Sequence, residues 1–206
     1  MPVHVTLVRK SGPIRPLLSR PSRGWPGGQA IASLLLGAAL ALTGAAAQAE
    51  GIDWSLVGGV GQDRLSKLGV IAAWERAEPL WQGDAWQLKL RHEVEVAAWR
   101  APRGKDLVEA GYSPVFRLQR PVGDGNANQL YVEAAIGARL LSGRDLAPFR
   151  RFSTAFQFSD VLGAGFIWGP QGRSSLGLRV QHLSNARIKR PNPGITFLEL
   201  RYSHRF

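Results

Sequence analysis

The chain of 206 residues is basic, with 26 Lys+Arg against 15 Asp+Glu, and it has no cysteine. The absence of cysteine excludes a disulfide framework and thiolate chemistry. Residues 50–206 amount to one domain's worth of chain.

Residues 1–49 read as a unit apart from the fold. They carry Arg9, Lys10, Arg15, Arg20 and Arg23 and no acid, then an apolar run over residues 31–42, then Ala47-Gln48-Ala49. A basic stretch, a short apolar stretch and a small-x-small site make a secretory signal peptide, expected to be cleaved after Ala49. The apolar run is short for a membrane anchor, which needs about 20 residues. Without those five basic residues, 21 Lys+Arg face 15 Asp+Glu, a net +6 for residues 50–206. That modest excess suits an exported bacterial protein meeting anionic lipid and lipopolysaccharide phosphates, and it does not call for nucleic acid.

Alternation of apolar and polar residues dominates residues 50–206, with turn residues between the segments. In residues 84–100, Trp86, Leu88, Leu90, Val94, Val96 and Ala98 share one parity; Gln87, Lys89, Arg91, Glu93 and Glu95 take the other. Residues 107–119, 129–141, 174–185 and 194–206 repeat the pattern, and 51–61, 64–77 and 158–169 show it more weakly. The expectation is eight strands. Several of them are long enough to cross a bilayer at a tilt, and the chain ends Leu198-x-Leu200-x-Tyr202-x-His204-x-Phe206. Both features favour an all-β, eight-stranded antiparallel transmembrane barrel of the outer membrane over a soluble sandwich or lipocalin-like barrel. Such a barrel is just wide enough for side chains to fill, here charged and polar ones.

An even strand number puts both ends of the chain on the periplasmic side. Trp54, Trp74, Trp86, Trp168 and Phe206 then share the lipid-facing parity and the periplasmic level, as an interfacial girdle does. The seventh strand runs outward and ends in His182-Leu183-Ser184-Asn185-Ala186. Residues two apart on a strand share a face, so His182 and Ser184 stand together, on the side of Leu176, Leu178 and Val180. A polar pair facing lipid is costly unless it has a task. At the outer-leaflet level it points to a hydrolase acting on a membrane lipid, the imidazole activating the hydroxyl. His4, His92 and His204 show no metal-ligand spacing, so no metal is expected.

His182-Leu183-Ser184-Asn185-Ala186, with Lys189, Pro191-Asn192-Pro193-Gly194 and a last strand ending at Phe206, resembles the lipid A 3-O-deacylases of the PagL type. The motif-bearing part covers about the last 25 residues. The resemblance implies an outer-membrane esterase that removes the 3-hydroxyacyl chain at position 3 of lipid A, without metal or cofactor. It assigns Ser184 as nucleophile and His182 as general base. Asn192 and a backbone amide near Asn185 or Ala186 become the oxyanion donors; Pro191-Asn192-Pro193-Gly194 is equally a strong turn. Arg187, Lys189 and Arg190 are either a solvated loop or partners of lipid A phosphates. The oligomeric state is open, a homodimer among the options.

One position departs from the family pattern. The acidic triad member belongs two residues after the Asn-x-Gly, where this chain has Thr196. Pairing the last two strands about the 185–194 loop sets Thr196 opposite His182. Glu199 has lumen parity and reaches His182 only through a bulge. Thr196 as an orienting hydroxyl, or Asp160 from the sixth strand, are the favoured third members. Two other functions compete: a structural or adhesive barrel without activity, and a phospholipase using the same Ser–His pair.

Overall fold

The computed structural model describes residues 51–123, 128–148 and 150–206. The expected leader, residues 1–49, lies outside them.

Eight long strands alternate apolar and polar residues as the pattern requires: β1 (Ile52–Gly61), β2 (Ser66–Glu75), β3 (Gln87–Arg100), β4 (Leu107–Pro121), β5 (Gln129–Leu141), β6 (Phe156–Trp168), β7 (Ser174–Ser184) and β8 (Ile195–Arg205). Each pairs antiparallel with its chain neighbours, and β8 pairs with β1 from Asp53–Arg205 to Gly61–Phe197, so the sheet closes with no free edge among these eight. The expected barrel is the observed one. Its strands differ from the sequence boundaries only at the ends: β4 runs on to Pro121 and β6 begins at Phe156.

One face of each strand looks outward. Leu56, Leu68, Val96, Phe116, Val132, Leu162, Leu178 and Leu200 are all exposed there, which in water is a heavy cost and in hydrocarbon is none. At the end bearing residues 51 and 206, aromatic rings gather on this face. Trp74 stacks on His92 at 5.5 Å, His92 faces Tyr112 at 6.1 Å, and Trp168 approaches Tyr202 at 6.3 Å. Trp54 and Phe206 share that level, and Trp81 joins it from a two-residue strand, Trp81–Gln82, beside the start of β3.

The other face fills the lumen in two layers. The middle is ionic: Lys67 contacts Glu95 at 2.7 Å and Glu199 at 2.6 Å, while Arg179 and Arg201 share Glu93 at 2.9 and 2.6 Å. The outer end is apolar, where the sequence parity had indicated polar filling throughout. Trp99, Phe197, Leu107, Leu141, Leu183 and Ile195 pack there, with Leu146 and Phe152 folded in from the β5–β6 loop. That loop contributes inward side chains that have no place in a strand alternation. The layer seals the outer mouth and anchors the ends of β7 and β8, because Leu183 and Ile195 are the inward neighbours of the polar residues that face out.

Candidate active site

The site forms where β7 and β8 emerge from the outer end. Their ladder is unbroken from Ser174–His204 to Leu183–Ile195, and it sets His182 directly opposite Thr196. Nδ1 of His182 lies 2.9 Å from Oγ1 of Thr196. With no bulge in this ladder, Glu199 keeps its lumen register, 2% exposed and bound to Lys67, away from the imidazole. On its other side His182 pairs with Asp160 of β6.

His182 and Ser184 line one open cavity of about 370 Å3, with Ala186, Arg187, Asn192, Pro193 and Gly194. The Ser184 hydroxyl has no hydrogen-bond partner among the described residues, so it is free to swing toward the histidine's second nitrogen. Gly194 floors the ring. Its φ is +57°, and a Cβ added there meets His182 Cε1 at 2.9 Å, so both backbone and space require glycine.

The loop after β7 reverses through Ala186 and Arg187, both at positive φ (50° and 63°). Asn192 reaches back across it: Asn185 N–H donates to Asn192 Oδ1 at 3.0 Å. A backbone amide can only donate, so the acceptor end of the Asn192 amide must face Asn185 and its NH2 end turns toward the cavity. Of the two backbone amides considered as oxyanion donors, that of Asn185 is therefore taken. The N–H of Ala186 is the remaining candidate, and Ala186 lines the same cavity as Asn192.

Several positioning residues escaped sequence reasoning. Asn185 is 1% exposed; its side-chain NH2 donates to Ser153 Oγ at 2.7 Å and to the Lys189 carbonyl at 2.8 Å, pinning the loop to the β5–β6 loop. Arg150 donates to Asp63 at 2.5 Å and to the Gly194 carbonyl at 2.7 Å. Gln62 accepts from the Thr196 N–H at 3.1 Å. Asn185 stood inside the motif and was the one legible signal; the others sit in loops far away in sequence.

A family model described as lipid A 3-O-deacylase (PagL) matches residues 67–205, about two thirds of the chain. The chain belongs to the PagL family. It is 36% identical over 128 residues to the lipid A deacylase PagL of Bordetella bronchiseptica, covering 60% of this chain and 67% of that one. Against lipid A deacylase PagL of Pseudomonas aeruginosa it is 28% identical over 160 residues, 77% of this chain and 87% of the relative. A crystal structure described as the outer membrane enzyme PagL superposes with a TM-score of 0.68 at 25% identity, over 75% of this chain and 99% of that chain. As a PagL family member the protein is an outer-membrane barrel and an ester hydrolase. Its departure from the family pattern is local, a neutral Thr196 hydroxyl standing 2.9 Å from the imidazole where a carboxylate was expected.

Arg187, Lys189 and Arg190 are exposed, and their charged groups have no ion-pair partner among the described residues. Arg187 and Arg190 also border a second open hollow of about 630 Å3, with Pro191 and Asn192.

Proposed function

We propose that this protein hydrolyses the 3-O-linked 3-hydroxyacyl ester of lipid A, with Ser184 as nucleophile, His182 as general base and Thr196 as the residue that orients the imidazole. The observation that carries the reading is a free serine hydroxyl beside an imidazole whose other nitrogen is already held, both facing lipid at the outer end of the barrel.

Proton positions follow from that contact. For Nε2 to accept the serine proton, Nδ1 must carry the hydrogen and donate it to Thr196 Oγ1. Ser184 Oγ then attacks the ester carbonyl while Nε2 takes its proton. The negative charge on the former carbonyl oxygen falls to the Asn192 NH2 and the Ala186 N–H, donors already fixed before reaction. Collapse of the tetrahedral species breaks the C–O bond to the sugar, and the imidazolium returns the proton to the departing alkoxide. A water, deprotonated in turn by His182, releases the fatty acid and restores Ser184. Arg187, Lys189 and Arg190 supply cations for the phosphates of lipid A, holding the sugar over the site.

Mass spectra of lipid A from cells expressing the wild type and Ser184→Ala test the reading. Loss of one hydroxyacyl chain with the wild type, absent with Ser184→Ala, is expected. Unchanged lipid A with fatty acid released from phospholipid points instead to a phospholipase, and no change in either lipid to a structural barrel.

A further inference from the structure

The acidic residues of the eight barrel strands turn inward with one exception. Asp53, Glu75, Glu93, Glu95, Glu109, Glu133 and Glu199 face the lumen or its mouth, whereas Asp160 is exposed on the outer face of β6. It has no hydrogen bond or ion pair among the described residues. Its cross-strand row reads Ile136, Asp160, His182, Thr196, and the row below reads Ala134, Leu162, Val180, Leu198. Asp160 is thus the last polar group on β6 before continuous hydrocarbon-facing surface. A bare carboxylate at that depth is costly unless something that visits the site uses it.

The imidazole does not supply that partner. Its Nδ1 faces Thr196, and its Nε2 is the nitrogen that serves Ser184. What remains is the substrate. Ser184 pairs with Phe158, two residues before Asp160, so Ser184 and Asp160 are diagonal neighbours, about 7–8 Å apart at the backbone. Asp160 is the deeper of the two, on the side toward which an acyl chain leaves the ester. A carbonyl carbon in reach of Ser184 sits about 3 Å from its Oγ. The carbon bearing the 3-hydroxyl follows two C–C bonds further and the hydroxyl oxygen one C–O bond beyond it, about 1.5 Å each. A hydroxyl-to-carboxylate hydrogen bond adds about 2.7 Å. Those lengths span the diagonal.

We propose that Asp160 accepts a hydrogen bond from the 3-hydroxyl of the acyl chain being removed, making it a specificity residue that selects 3-hydroxyacyl over unsubstituted chains. This rests on the deacylase reading of Ser184 and His182. The hydroxyl is the polar group nearest the ester on the acyl side, and it donates into an acceptor that otherwise stays unpaired in lipid.

The test compares kcat/KM in detergent micelles for two glucosamine 3-O-acyl esters of equal chain length, one 3-hydroxylated and one unsubstituted. The enzymes are wild type, Asp160→Ala, Asp160→Asn and Ser184→Ala. Removing an outward-facing charge leaves the lumen untouched, so the Asp160 variants are expected to fold. The wild type prefers the hydroxylated ester. Asp160→Ala loses about 10- to 100-fold on that ester, the worth of a hydrogen bond to a charged group, and stays within about twofold on the other. Asp160→Asn, with a neutral acceptor, falls between. Equal losses on both esters assign Asp160 to the imidazole or the fold and overturn the proposal, as does an unaltered preference or a wild type with none. Ser184→Ala keeps the two questions apart: if it still cleaves both esters, the deacylase reading itself has failed.

Discussion

A hydroxyl and a carboxylate do different things for the same imidazole. Both can accept a hydrogen bond from Nδ1–H and so hold the ring, but a hydroxyl can also donate, and only the carboxylate both fixes the tautomer and neutralises the imidazolium that forms during attack. In the proposed mechanism the 2.9 Å contact between His182 and Thr196 keeps the hold on the ring and gives up most of that neutralisation. Thr196→Val retains the shape and loses the acceptor. We expect kcat to fall about tenfold with KM unchanged, the scale of one neutral hydrogen bond, and Thr196→Ser to restore it. Steady-state kinetics on a lipid A ester reads both. Gly194 supports the ring from the other side. Alanine at this φ of +57° costs about 1 kcal/mol or more, and its Cβ lands 2.9 Å from His182 Cε1. Gly194→Ala is expected to keep the far-UV circular dichroism of the barrel while kcat drops, since the methyl displaces the base rather than the strands.

Between the strands, three outer loops act as one element. Arg150 joins Asp63 of the β1–β2 turn to the Gly194 carbonyl of the β7–β8 loop, and Asn185 joins that loop to Ser153 and Lys189. Arg150→Ala cuts the first tie without touching the lumen. The amides of residues 185–194 are then expected to exchange with deuterium faster and turnover to fall, while strand amides keep their protection; uniform protection throughout counts against the tie. The same loops mark where the sequence stops being readable. His182, Ser184, Asn192, Gly194 and Thr196 lie within fifteen residues on one hairpin, so strand parity and loop closure sufficed to bring them together. The strands were legible for the same reason, because alternation is a local property set by the bilayer outside and the filled lumen inside. Arg150, Ser153 and Gln62 reach the site through loops that carry no period, across 32 to 134 residues of sequence. Leu146 and Phe152 were illegible too, since nothing local says that a loop residue will fold back into the mouth of a barrel.

At the scale of the whole molecule, the barrel is a rigid post that presents one hairpin to the outer leaflet, and its stiffness comes from the lumen. Lys67, with a side chain fully buried, stands 2.7 Å from Glu95, 2.6 Å from Glu199 and 3.7 Å from Glu109, and also donates to Gln181 Oε1 at 2.7 Å. These partners come from β3, β4, β7 and β8, while Lys67 is on β2, so one ammonium ties together strands from opposite walls. Its removal leaves carboxylates crowded together out of reach of bulk water, and breaking a buried ion pair from one side costs about 3–5 kcal/mol. Lys67→Met is therefore expected to lower the free energy of unfolding in urea, measured on protein folded into phospholipid vesicles, by about that amount. Adding Glu199→Gln removes one of the stranded charges and should return part of the loss. If the double variant is instead as unstable as the sum of two independent losses, Lys67 and Glu199 are not coupled and the lumen is held by shape alone. A destabilised lumen reaches the site through β8, where Glu199 lies three residues beyond Thr196 on the opposite face. Activity is expected to survive in Lys67→Met at low denaturant and to disappear with the fold as one transition, because the hairpin that carries His182 and Ser184 is held by the closed sheet and by loops anchored on it.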